Sequence, residues 1–142
     1  MAARIWPVAG LLAAALSAAT ALAQDWPNRP VRIVVPFSPG GIADTSARTI
    51  ADRLGARLGQ SVVIENKVGA AGNIGTEMVA KSAPDGYTLL LGYDGTIVVN
   101  PHVYAKLGFD VLNDFAPVTK LGDAGVIVVS HPSLPVKDLK EL

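Results

Sequence analysis

The chain has 142 residues, with twelve basic and twelve acidic side chains and no cysteine. Disulfides, thiolate metal sites and a cysteine nucleophile are therefore excluded. The balanced charge, with no basic block or stripe, leaves nucleic-acid binding and polybasic membrane docking without support.

In chain order, Met1 to Arg4 is a short charged start, followed by an apolar run from Ile5 to Leu22 that closes on Ala21-Leu22-Ala23. This order reads as a secretory signal peptide over residues 1–23. The run is rich in Ala, Gly, Ser and Thr and carries Pro7, so it makes a poor transmembrane anchor. It holds no twin-Arg pair, and no cysteine is available for lipid attachment. Loss of Arg4 leaves the mature chain with one excess negative charge. It is expected to be free in solution outside the cytoplasm, with no stable membrane anchor.

After a polar lead-in from Asp25 to Pro30, Val31-Arg32-Ile33-Val34-Val35-Pro36 reads as a buried strand and Phe37-Ser38-Pro39-Gly40-Gly41 as a turn. Ala43, Ala47, Ile50, Ala51, Leu54 and Leu58 then fall on one helical face, with Asp44, Arg48, Asp52, Arg53 and Arg57 towards water. Asp44 precedes Arg48 by four residues, the favourable order for an ion pair. Gly59 is placed to end the helix.

Ser61 to Glu65 reads as a second strand and Asn66 to Gly72 as a loop. Asn73 is the expected N-cap of a helix to Ser82, with Ile74, Met78 and the stem of Lys81 inward. Pro84-Asp85-Gly86 is a turn. Thr88-Leu89-Leu90-Leu91 reads as a strand buried on both faces. Tyr93 to Thr96 is read as a turn, Asn100 to Tyr104 as a short helix, and Phe109 to Asp114 as a loop. Phe115 to Leu121 reads as a weak strand and Val126 to Ser130 as a strong one. Val136 to Leu142 begins a helix without a C-cap, which points to the front part of a longer protein. Strands alternating with helices predict an α/β lobe, a mainly parallel sheet flanked by helices.

Three glycine-bearing turns follow strands: Phe37 to Gly41, Lys67 to Gly72 and Tyr93 to Thr96. In a parallel sheet they gather beyond the carboxyl ends of the strands, where open α/β sheets bind ligands. Glycine permits close backbone approach, and helix N-termini favour a carboxylate or phosphate. The plainer reading is that the glycines only make tight turns. Gly69-x-x-Gly72-x-x-Gly75 lacks the dinucleotide spacing and reads as a turn with close helix packing. Ser38 lacks the glycines of a nucleophile elbow. His102, read as structural, and His131, read as extended and exposed, are solitary, so no metal site is expected.

Several stretches resemble the tripartite tricarboxylate transporter substrate-binding receptors, also called Bug receptors. They are Pro30 to Phe37, Pro39-Gly40-Gly41 with Asp44, Val63 to Lys67, Gly69 to Gly75, Pro84 to Leu90, Asn100 to Tyr104 and Asp114 to Val118. The resemblance implies a periplasmic-binding-protein-like (type II) fold of two lobes closing on a small carboxylate. It also implies no enzymatic activity, no cofactor, periplasmic location, and delivery of solute to membrane permease subunits. Residues 24–142 would be the first lobe, with the second missing.

Carried over residue by residue, the resemblance makes Phe37, Ser38, Pro39, Gly40 and Gly41 a loop that binds one carboxylate through backbone N–H groups and water. Asp44 would organise that loop. Tyr93, Asp94, Gly95 and Thr96 would form the next pocket loop, where many relatives carry small hydroxyl residues and this chain departs with Tyr93 and Asp94. Asp94 would repel a carboxylate. It is expected either to meet a ligand N–H, hydroxyl or ammonium while Tyr93 packs on the ligand body, or merely to cap a helix. The alternatives are a secreted α/β hydrolase-like enzyme whose catalytic half is missing, and a truncated fragment without function.

Overall fold

The computed structural model describes residues 25–141 apart from 124, 126 and 137; the expected signal peptide lies outside the described residues. Strand β1 (Val31–Val35) is the middle of a three-stranded sheet, flanked by β2 (Val62–Asn66) and β3 (Thr88–Leu90). Both pairings are parallel, with Ile33 opposite Ile64 on one side and Leu89 on the other. A central strand is covered on both faces, which is why β1 is nearly all β-branched. Val31, Val34 and Val35 are fully buried and Ile33 is nearly so. Each contributes roughly 2 kcal/mol of apolar burial.

Helix α1 (Ile42–Leu58) joins β1 to β2 and ends on Gly59, whose φ of 66° is the left-handed cap anticipated from the sequence. Ala43 and Ala47 lie in a cluster with Ile33, Val35 and Leu91, and Ile50 and Leu54 pack against it. Short side chains along this face let the helix sit close to the sheet. Helix α2 (Asn73–Ala80) joins β2 to β3. With strand order β2-β1-β3, the right-handed rule for crossovers between parallel strands puts the two helices on opposite faces of the sheet. The result is an α/β lobe, a parallel sheet flanked by helices.

The inner side of α2 differs from expectation. Ile74 is 55 % exposed, and the buried residues are Asn73, Gly75 and Thr76. A Cβ on Gly75 would stand 2.8 Å from the Lys67 carbonyl and 3.0 Å from the Pro36 ring, so α2 packs too closely for a large residue. Asn73 is also not the N-cap. It has helical φ and ψ of −62° and −36°, and the cap is Gly72.

Further expectations are corrected. The Tyr93–Thr96 turn and the Asn100 helix form one unit: a π-helical turn (Gly95–Val99) runs directly into α3 (Asn100–Val103). No strand forms over 115–123 or 127–130, and Ile127, Val128 and Val129 are 83 %, 62 % and 84 % exposed; Val126 lies outside the described residues. A β-branched run becomes a strand only where an edge accepts its backbone. From Val136 onward the described residues make a turn, closed by Glu141 N–H on the Asp138 carbonyl at 3.3 Å, and no helix. Strand β3 is half-buried along its length, not covered on both faces.

Candidate functional site

The turns after β1, β2 and β3 lie at the carboxyl edge of the sheet. The first, Phe37 to Gly41, is organised from below by Asp44. This carboxylate is 3 % exposed. It accepts the Gly40 N–H at 2.9 Å, the Arg48 Nε–H at 2.9 Å and the Asn66 amide at 3.0 Å. The Asn66 amide also donates to the Phe37 carbonyl at 3.0 Å, tying the end of β2 to the turn. The Arg48 bond is the largest cause holding the Asp44 carboxyl far below the ordinary aspartate value of 3.8; the Gly40 and Asn66 bonds add to it. Asp44 is therefore an ionised structural anchor with both carboxylate oxygens engaged.

These bonds restrict what the turn can offer. Gly40 N–H is taken by Asp44, Gly41 N–H lies 3.4 Å from the Ser38 carbonyl, and Pro39 has none. Ser38, Pro39, Gly40 and Gly41 are all exposed. Helix α1 begins at Gly41 without a side-chain cap. Its first-turn N–H groups are thus the donors of this turn that no cap occupies.

The second turn carries unusual backbone. Ala70 and Ala71 have φ of 47° and 53°, a left-handed conformation rare outside glycine. Both are exposed, whereas Gly72 and Asn73 are buried. Gly72, at φ 90°, is where the three turns meet. A Cβ there would stand 2.5 Å from Thr96 Oγ1 and 3.3 Å from Phe37 Cζ. The Ala71 carbonyl accepts Thr96 Oγ1–H at 3.1 Å and Asn100 Nδ2–H at 3.0 Å. Asn100 also donates to Asn73 Oδ1 at 2.7 Å.

In the third turn, the Tyr93 ring meets Phe37 edge to face, with centroids 5.5 Å apart. Asp94 Oδ1 accepts the Gly95 N–H at 2.8 Å, so its side chain caps its own turn while remaining exposed. Thr96 is fully buried with its hydroxyl turned to Ala71, which places it behind the rim. Phe37, Ser38, Pro39, Gly40, Gly41, Tyr93 and Asp94 form the accessible rim. Asp44 and Thr96 support it.

Sequence reasoning passed over Asn66, Asn73 and Asn100 as site residues. Each stands in a stretch that resembled the receptors, and the asparagines on either side of the Lys67–Gly72 turn were the available signal. His102 is exposed on α3, and His131 Nδ1 bonds Ser133 Oγ at 2.7 Å. Among the described residues there is no cluster of three His, Asp or Glu able to hold a metal. No helix among them is long and apolar enough to cross a membrane.

The family described as tripartite tricarboxylate transporter family receptor matches residues 46–142. Protein BugT of Bordetella pertussis is 41 % identical over 141 residues, covering 98 % of this chain and 43 % of BugT. The solved periplasmic binding protein BugD is 44 % identical with a TM-score of 0.62, over 65 % of this chain and 30 % of that one. Rpa4515 of R. palustris, solved with adipate, is 42 % identical with a TM-score of 0.64, over 82 % of this chain and 39 % of that one. The chain spans about two fifths of the curated relatives it matches.

Proposed function

The chain belongs to the tripartite tricarboxylate transporter receptor family, and on that premise we propose that it supplies one wall of an extracytoplasmic receptor that captures a small carboxylate solute and delivers it to membrane permease subunits. Residues 24–142 act as the first of two lobes, and a second lobe closes over the rim. The receptor works in the periplasm, reached through a signal peptide over residues 1–23. It carries out no covalent chemistry.

The observation that carries this reading is the convergence of three strand-end turns on Gly72, with Phe37 and Thr96 each within 3.3 Å of where its Cβ would stand. That convergence makes a preformed rim, which lowers the cost of ordering on binding. One carboxylate of the solute takes the uncapped N-terminus of α1, where N–H groups and the helix dipole both favour an anion. Phe37 and Tyr93 bear on the carbon skeleton. Asp94 sits beyond them and favours a solute whose far end carries a hydroxyl, N–H or ammonium over a second unprotonated carboxylate.

Calorimetric titration of the intact receptor with adipate, a hydroxy acid, an amino acid and an aromatic acid tests the proposal. Saturable one-site binding of at least one of them is expected. Failure of all four, or turnover of an ester or amide, would end it.

A further inference from the structure

Asn100 carries none of the interactions assigned to the solute above, yet it is 6 % exposed and its amide donates to two oxygens. One is the carbonyl of Ala71, at 3.0 Å; the other is Asn73 Oδ1, at 2.7 Å. The Ala71 carbonyl takes a second hydrogen bond from Thr96 at 3.1 Å. Both donors to this carbonyl therefore belong to the unit that contains the third turn, while the carbonyl belongs to the second.

The segment they hold would not hold itself. Two successive alanines with positive φ persist only where their surroundings over-determine them. The Ala71 carbonyl, doubly bonded from Thr96 and Asn100, is the point at which that happens. The consequences pass along the rim. Gly72 follows Ala71, and a Cβ on it would run into Thr96 and Phe37; Phe37 meets Tyr93. The shape of the rim thus depends on a buried amide 29 positions along the chain from the carbonyl it grips.

We infer that Asn100 is the positioning residue of the rim: assisted by Thr96, it clamps the strained Ala70–Gly72 turn so that the first and third turns present Phe37 and Tyr93 in a single binding geometry. The inference rests on the solute-receptor reading for its purpose, but not for the clamp itself. Asn100→Asp keeps the shape of the side chain, removes both donor hydrogens and sets a carboxylate against two oxygens. Thr96→Val removes the milder bond to the same carbonyl and serves if the first variant folds poorly. Ala71→Gly is the diagnostic partner, because glycine adopts positive φ without a clamp.

The experiment measures amide hydrogen exchange of Gly72 and Asn73, and affinity for a monocarboxylic hydroxy acid in the intact receptor, for each variant with and without Ala71→Gly. Asn100→Asp should speed exchange at these amides about tenfold, and Thr96→Val by less, as expected for loss of local hydrogen bonds. Adding Ala71→Gly should restore slow exchange. Affinity should fall by a similar factor in Asn100→Asp and return in the double variant, a rescue that a merely structural amide would not give. Unchanged exchange in both single variants would overturn the clamp. So would faster exchange spread over the whole sheet that Ala71→Gly does not reverse. Normal hydroxy-acid affinity in Asn100→Asp would overturn the positioning role. A parent receptor that binds no carboxylate would instead count against the solute reading, and the exchange measurements would still decide the clamp.

Discussion

The Phe37 and Tyr93 rings stand edge to face, centroids 5.5 Å apart and planes at 74°, and so join the turn after β1 to the turn after β3. The two turns are 56 residues apart in sequence and lie beside one another because β3 pairs with β1. Their contact is the apolar part of a rim that is otherwise backbone and small residues.

That contact is measurable without a ligand. Edge-to-face pairs contribute about 1 kcal/mol beyond simple burial. A double-mutant cycle of Phe37→Leu and Tyr93→Leu, followed by urea unfolding, should show coupling of about 1 kcal/mol. Additive losses would mean that the rings pack independently.

Acid should act through Asp44. Its carboxyl is ionised at lower pH in the folded chain than the ordinary value of 3.8, chiefly because Arg48 hydrogen-bonds it. A depressed folded value stabilises the native state above the unfolded value, and this stability is lost as pH falls from 3.8 towards the folded value. Asp44→Asn should be less stable than the parent at neutral pH. The gap between the two should narrow as pH is lowered from about 5 to about 2. A gap independent of pH in urea titrations would contradict the role of the charge.

Two glycines of the rim should respond differently to alanine. At Gly40 the φ of 81° is unfavourable for alanine but nothing lies within 4 Å of a Cβ, so Gly40→Ala should cost about 1 kcal/mol. At Gly72 the φ of 90° coincides with a Cβ position 2.5 Å from Thr96 Oγ1, and the cost should reach about 3 kcal/mol. Thermal and urea unfolding of the two variants gives the comparison, and equal costs would show that the three turns do not meet closely at Gly72.

Asp94 should act on selectivity. Its side chain is exposed at the rim, and its bond to Gly95 N–H leaves the second carboxylate oxygen for a solute donor. Asp94→Ala in the intact receptor should weaken a hydroxy or amino acid about tenfold and spare or improve adipate. Calorimetry with both solutes reads this directly, and unchanged affinity for the hydroxy and amino acids would remove Asp94 from the site.

Much of this lobe was legible because it is written in local pattern. The β-branched run of β1, the apolar face and terminal glycine of α1, the Asp44–Arg48 spacing and the glycine turns after strands all depend on residues close in sequence. The same kind of reading fails where a partner is needed. Val126 to Ser130 has the composition of a strand, yet its described residues pair with no edge of the sheet. Ile74 has the spacing of a core residue, but Gly75 brings α2 so near Pro36 that the inward side has room only for small groups.

The sequence by itself determined the α/β alternation, the turns that form the rim and the resemblance to a carboxylate receptor family, because periodicity, turn chemistry and motif order are properties of the chain alone. Only the tertiary structure decided that Thr96 and Asn100 stand behind the rim on the Ala71 carbonyl, that Asn73 receives an amide instead of capping a helix, and that Gly40 N–H belongs to Asp44. The reason is physical. A hydrogen bond between residues 25 or 29 apart has no local signature, and exists only once parallel pairing of β1 with both neighbours has brought three loops to one edge.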